Sequence, residues 1–179
     1  ASAEDVILGN DVVVNVAGIP SEATGTVTVT VNGKDYKATV SNGTATISIP
    51  KLENGKYDAE VVYSGDKKYA NKSTTVSFEV SNIVTNDTFE KFFDEKGNLR
   101  DEVKCDELIF DGVISNKNTD KININRPMKL LGENATLNNI AINITSDDVC
   151  VDGFTIEADN ITSAIIVDNA SDVDIVNNV

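Results

Sequence analysis

Carboxylates are the one abundant class of side chain in this sequence that could do chemistry. The 179 residues carry 29 Asp and Glu against 15 Lys and Arg, and no His. Without an imidazole there is no catalytic triad, no His-based acid/base pair and no His-ligated metal centre. Asp148 and Asp172 hold equivalent places in two similar stretches, Asp148-Val-Cys-Val-Asp and Asp172-Val-Asp-Ile-Val, with Asp147, Asp152 and Asp174 close by in sequence. If those stretches stack, the first two carboxylates come within about 5 to 7 Å, where a pair can hydrolyse a glycoside or help to hold Ca²⁺. A run of charge is more often simply a solvated face. The expectation is therefore no catalytic residue and no cofactor, with Asp148, Asp172 and Asp174 as a weak Ca²⁺ candidate.

The remaining reactive groups are few. Cys105 and Cys150 have no His to activate them. If two coils separate them they lie about 10 Å apart, beyond the ~7 Å that a disulfide spans, so two free thiols are expected. Seven Asn-x-Ser/Thr sequons occur, at Asn42, Asn71, Asn86, Asn134, Asn143, Asn160 and Asn169, where this composition gives about three by chance. The excess fits an exported glycoprotein, although Asn-rich turns beside Thr-rich strands generate part of it unaided. A net charge of -14 argues against nucleic acid and anionic membranes as partners. No apolar run reaches 18 residues, so no membrane insertion is expected of this segment. There is no Trp, and Tyr36, Tyr57, Tyr63 and Tyr69 all lie in the first half, which leaves the second without large aromatic platforms for sugars. Arg126, just before Pro127, reads as a structural residue at a bend.

The elements that must position these groups fall into two halves, residues 1–82 and 83–179, with the boundary near Ser81-Asn82. In the first, Val12-x-Val14-x-Val16, Val27-x-Val29-x-Val31, Ala45-x-Ile47-x-Ile49 and Val76-x-Phe78-x-Val80 alternate apolar with mostly polar residues. Each reads as a half-buried strand. Asn32-Gly33 and Asn42-Gly43 suit the positive-φ positions of tight turns. About seven short strands over some 80 residues suit a β-sandwich. Leu52-x-x-Gly55-x-Tyr57 has the spacing of a tyrosine corner. Tyr63-Ser-Gly-Asp66-x-x-Tyr69 resembles a signature of bacterial-type Ig-like repeats, a resemblance that covers roughly residues 10–80 and implies a spacer.

The second half repeats itself. Leu108-x-Phe110-x-Gly112, Met128-x-Leu130-x-Gly132, Val149-x-Val151-x-Gly153 and Val173-x-Ile175-x-Asn177 align at steps of 20, 21 and 24 residues. A second series, Ile122-x-Ile124, Ile142-x-Ile144 and Ile165-x-Val167, runs in phase with it. Such a period, with no helix inside it, predicts a parallel β-helix of two strands per coil, its apolar residues stacked about 4.8 Å apart. The Gly or Asn at the fifth position predicts a left-handed bend. Asp87-x-x-Glu90 gives a capping-box start, Phe89, Phe92 and Phe93 share one helical face, and Gly97 gives a stop. A capping helix over residues 87–95 is expected to close the lower end, with the Phe trio in the core. Only six residues follow Val173, so the top coil is expected to continue in a longer chain or to self-associate through Val173 to Val179.

The stretch from Asn86 onward resembles the adhesin-like cell-surface proteins of methanogenic archaea, on Thr88-Phe89-x-x-Phe92-Phe93-Asp94, Asn125-Arg-Pro127-x-x-Leu130-x-Gly132 and Asp148-Val-x-Val-Asp-Gly153-Phe-x-Ile156. That family joins Ig-like repeats to right-handed β-helices of the pectin-lyase type. The fold class implied is all-β: an Ig-like β-sandwich, a short capping α-helix and a truncated right-handed parallel β-helix. The function implied is a non-catalytic extracellular adhesin, wall-associated, attaching to another cell or matrix. A polysaccharide-acting enzyme with catalytic coils beyond Val179 and a self-assembling surface filament are the rival readings.

Overall fold

The computed structural model describes residues 1–115 and 117–179. Its chain divides into two compact units, Ala1–Ser81 and Asn82–Val179.

In the first unit the alternation seen in the sequence becomes seven strands: β1 (Val6–Ile7), β2 (Val12–Val16), β3 (Thr26–Val31), β4 (Lys34–Thr39), β5 (Ala45–Ile49), β6 (Gly55–Tyr63) and β7 (Lys72–Ser81). β2 and β5 pair antiparallel, and a second sheet runs β1-β7-β6-β3-β4. Only its β1–β7 pair is parallel. Because successive side chains point to opposite faces, one set from each strand meets in the core, including Val12, Val14, Val27, Val29, Ile47, Ile49, Val61 and Phe78. Asn32 (φ 49°) and Gly33 (φ 75°) make the tight turn between β3 and β4 as their types predict.

The second unit is a parallel β-solenoid. It opens with β8 (Ile83–Val84) and α1 (Phe89–Phe92). Its coils then run through β9 (Glu107–Ile114), β10 (Lys121–Ile124), β11 (Met128–Asn138), β12 (Ala141–Ile144), β13 (Val149–Asp152), β14 (Thr155–Glu157), β15 (Ile165–Val167) and β16 (Val173–Val176). One face stacks β8-β9-β11-β13-β16, and another stacks β10-β12-β15. Among the described residues of the unit every pairing between these strands is parallel, and one isolated bridge, Phe93 to Leu99, is antiparallel. Ile122 sits on Ile142 and Ile142 on Ile165, the in-phase series expected from the sequence.

Four expectations need correction. First, Leu130 lies over Leu108 rather than Met128 over Leu108, so the first step is 22 residues. A slip of two keeps every side chain on its own face, so alternation alone cannot exclude it. Second, there are three faces: Thr136–Asn138 of β11 pair with β14 above and, through Thr136 and Leu137, with Val113 and Ile114 of β9 below. Both long strands run through the corner, β11 by way of a register shift between Glu133 and Thr136. That continuity hides the third face in the sequence.

Third, Gly132 is not among the left-handed residues, although Gly112 (φ 75°), Gly153 (φ 82°) and Asn177 (φ 55°) are. Its lack of a side chain serves a close approach, since a Cβ there would lie 2.6 Å from the Gly153 carbonyl oxygen of the next coil. Fourth, the helix is one turn, Phe89–Phe92, and Thr88 at its start makes no side-chain cap. Phe93, the residue after Phe92, is already extended, and a turn closed by the Gly97 N–H on the Asp94 carbonyl follows it. Gly97 ends no helix: it passes so close under Lys121 that a Cβ would stand 1.9 Å from that carbonyl oxygen. Its own carbonyl accepts the Asn123 N–H at 2.8 Å.

The Phe trio is core, with Phe89, Phe92 and Phe93 all buried. Phe89 meets Phe93 at 5.0 Å between ring centroids, Phe93 meets Phe110 at 6.2 Å, and Phe110 meets Phe154 edge-on at 5.1 Å. This aromatic column ties the closing turn to the coils. Truncating Phe110, which meets both Phe93 and Phe154, by Phe110→Ala is expected to destabilise the second unit by about 3 to 5 kcal/mol in urea denaturation. A loss below about 1 kcal/mol would show that the column does not hold the unit together.

Candidate functional site

The acidic group at the β12–β13 and β15–β16 corners is the first place to look for chemistry. Val149 pairs with Val173, so Asp148 and Asp172 do occupy the same corner in successive coils. Both are left-handed, at φ 56° and 53°, and both are exposed. Asp is one of the few types that tolerates this conformation, because its short polar side chain can bond locally. The neighbours have local duties too. Asp147 accepts the Ser171 N–H at 2.6 Å, and that bond holds its carboxyl below the usual carboxylate range. Asp152 accepts a bond from the Asn177 carboxamide at 2.8 Å.

Among the described residues no three carboxylates or thiols gather closely enough to hold a metal ion. Of the three Ca²⁺ candidates, Asp174 lies inside strand β16, beside Cys150, while Asp148 and Asp172 turn the corner. Cys105 and Cys150 are free thiols. Burial pushes both pKa values up, and at Cys150 the carboxylates of Asp152 and Asp174 add to the shift. A raised pKa leaves less thiolate, the reactive form.

The polar cluster that the sequence did not reveal is a ladder of amides. The Asn123 Nδ2 donates to Asn98 Oδ1 at 3.0 Å, and the Asn143 Nδ2 donates to Asn123 Oδ1 at 2.9 Å. Asp94 anchors its foot, accepting the Asn98 N–H at 2.8 Å and the Asn98 carboxamide at 3.1 Å. Those bonds hold the Asp94 carboxyl below its ordinary value. The signal was present in Ile122-Asn-Ile124 and Ile142-Asn-Ile144, an amide repeating in phase with the buried series. At the next coil Ile166 takes the position and the ladder ends.

Both arginines serve the backbone. Arg100 donates to the Glu90 carbonyl at 2.7 Å, and Arg126 to those of Val103 and Cys105 at 2.5 and 3.1 Å. The structural reading of Arg126 holds. Lys117 bonds Glu90 at 2.9 Å and the Asn86 carbonyl at 2.6 Å, and stands 5.4 Å from the Phe89 ring centre. Together these contacts fasten the one-turn helix. An open hollow of about 580 Å³ lies beside them, lined by Lys96, Lys121, Asn139 and Asn160 among others. The connections thus wall a shallow depression on the solenoid.

In the first unit the two marked motifs prove architectural. The Tyr57 hydroxyl donates to the Glu53 carbonyl at 2.7 Å, the bond of a tyrosine corner. Asp66 accepts the N–H groups of Thr24, Lys68 and Tyr69 at 2.7, 2.8 and 2.7 Å. Those N–H bonds, Thr24's foremost, hold its carboxyl far below the usual carboxylate range. The Tyr63 hydroxyl donates to the Thr24 carbonyl at 2.6 Å, and burial, then the Asp66 charge, raises its pKa. Gly25 allows the two segments to meet, since a Cβ there would sit 2.7 Å from the Gly65 carbonyl oxygen.

Residues 1–81 match the family described as bacterial Ig-like domain (group 3). The first unit is an Ig-like domain. Among solved structures, a bacterial immunoglobulin-like domain from the M. primoryensis ice-binding adhesin is similar at 24% identity. The match covers 45% of this chain and 94% of that one, with a TM-score of 0.30. The comparison with curated proteins finds no match. Among the described residues no helix is long and apolar enough to cross a membrane.

The Asp66 cluster gives the Ig-like domain an acid sensitivity of predictable sign. Its folded pKa lies below the ordinary 3.8, so its contribution is complete above about pH 4 and is lost as the pH falls from there towards the folded value. All four Tyr lie in this domain, so near-ultraviolet Tyr dichroism follows its unfolding selectively. Asp66→Asn is expected to lower stability at pH 7 and to flatten the further loss between pH 4 and 2. Equal pH slopes in the two proteins would show that Asp66 is not the titrating support.

Proposed function

We propose that the chain is a non-catalytic part of an extracellular, adhesin-type surface protein. The Ig-like domain acts as a spacer, and the lateral faces of the solenoid are presented to another cell or to a matrix. One observation carries this reading: an Ig-like domain runs directly into a parallel solenoid whose carboxylates and amides work in its own corners and rungs. The Asp66, Asp94 and Asp147 carboxylates each accept backbone N–H bonds, which suits supports better than general bases. The net charge of -14 favours solubility and discourages indiscriminate self-association. The sequence resemblance to adhesin-like surface proteins of methanogenic archaea supports wall association, attachment and an archaeal source.

Beads coated with the full chain test this reading against an enzymatic one. Saturable attachment to cells or wall fragments, unchanged by Asp148→Asn or Asp172→Asn, is the expected result. Release of new reducing ends from a polysaccharide, abolished by either substitution, would replace adhesion with hydrolysis.

A further inference from the structure

The sequons can be sorted by asking whether the fold already accounts for each residue pair. At Asn42 the asparagine is left-handed (φ 49°) and Thr44 donates to the Ser41 carbonyl at 3.0 Å, so both residues build the turn. Asn86 accepts the Ser115 N–H at 3.0 Å, while the Thr88 hydroxyl accepts the Thr85 N–H at 2.8 Å and donates to the Ile83 carbonyl. Asn134 (φ 57°) and Asn169 (φ 53°) are corner residues chosen by conformation. Asn143 is half-buried, its carboxamide nitrogen is held in the amide ladder, and Thr145 bonds the Ile124 carbonyl at 3.3 Å.

Two sequons remain. Asn71 and Ser73 are both exposed, as are Asn160 and Thr162, and neither asparagine is among the left-handed residues. Among the described residues none of these four side chains makes a hydrogen bond; the Asn160 backbone N–H bonds Asn139, and Ser73 pairs with Val62 in the β6–β7 ladder. Although Ser73 belongs to strand β7, no side-chain bond of the folded chain calls for an asparagine and a hydroxyl at either place. The carboxamide nitrogen, which an N-linked sugar must use, is free at both.

We infer that Asn71, on the Ig-like domain, and Asn160, on the solenoid, are N-glycan acceptors, and that Asn143 is not one. The donor class is an oligosaccharide activated on a lipid phosphate. The Asn Nδ2 attacks the anomeric carbon, and the new C–N bond replaces the sugar's C–O bond to phosphate. The lipid phosphate leaves with the bonding pair, and one Nδ2 proton passes to a base of the transferase. No redox partner is needed. The inference rests on the proposed export of the chain, because the transfer takes place on exported proteins.

The test is to secrete the full chain from cells that glycosylate sequons, release glycans enzymatically in ¹⁸O water, and map the Asn-to-Asp conversions by mass. Label at Asn71 and Asn160, with none at Asn143, is expected. The Asn71→Gln/Asn160→Gln pair should lose most of the added mass and leave the melting temperature unchanged. Folded, secreted chain without label at both sites would overturn the inference, as would occupancy spread evenly over all seven sequons or label at Asn143. The attachment assay reads separately, so glycan without attachment defeats the adhesive reading alone, and attachment without glycan defeats only this inference.

Discussion

Parallel stacking of one coil on the next is the constraint that governs the second unit. Each strand must place its apolar residues directly over those of the coil below, at the ~4.8 Å spacing of paired strands. Leu108, Leu130, Val151 and Ile175 form one such column, and Ile122, Ile142 and Ile165 another. A solenoid of this kind has no other way to bury an interior, since a single coil cannot cover its own apolar face. The chain must then turn between faces at the same places in every coil. Corners therefore recur, and recurring corners call for residues that accept a left-handed backbone.

That requirement explains the composition better than any site chemistry does. Asn134, Asn139, Asp148, Asn169, Asp172 and Asn177 all stand at positive φ in the second unit. They supply part of what looks in the sequence like an acidic or amide-rich functional surface. On the outward side of the coils the same stacking brings like residues together, so Asn98, Asn123 and Asn143 bond in line. The Ig-like domain uses its polar groups similarly, with Asp66 and Tyr63 tying the β6–β7 connection to the segment around Thr24. In both units the conspicuous polar side chains support the backbone.

Much of this was legible before the structure. The alternating apolar runs located β2, β3, β5 and β7 of the first unit, Asn32-Gly33 marked its hairpin, and the Tyr57 spacing marked the corner bond. The Ile122 series located one solenoid face in correct register. What escaped notice did so for physical reasons. A two-residue slip preserves the inside-outside pattern, so the sequence alone aligns Leu108 with Met128 where the fold pairs it with Leu130. The third face has no separate run of its own in the first coils, because β9 and β11 continue through the corner. Phe89, Phe92 and Phe93 satisfy a helical spacing that the fold uses for one turn only, with Phe93 already extended. The amide ladder was missed because it exists only between coils: each Asn looks like an ordinary polar residue within its own strand.

The central claim is that the polar rows of the solenoid hold its coils together rather than recognise a ligand. Asn123→Ala tests it most directly, because Asn123 bonds both Asn98 and Asn143. Thermal unfolding of the full chain should show the second unit weakened by about 1 to 3 kcal/mol, with attachment of the remaining folded protein unchanged. Undiminished stability together with lost attachment would contradict the account and make the ladder a recognition surface.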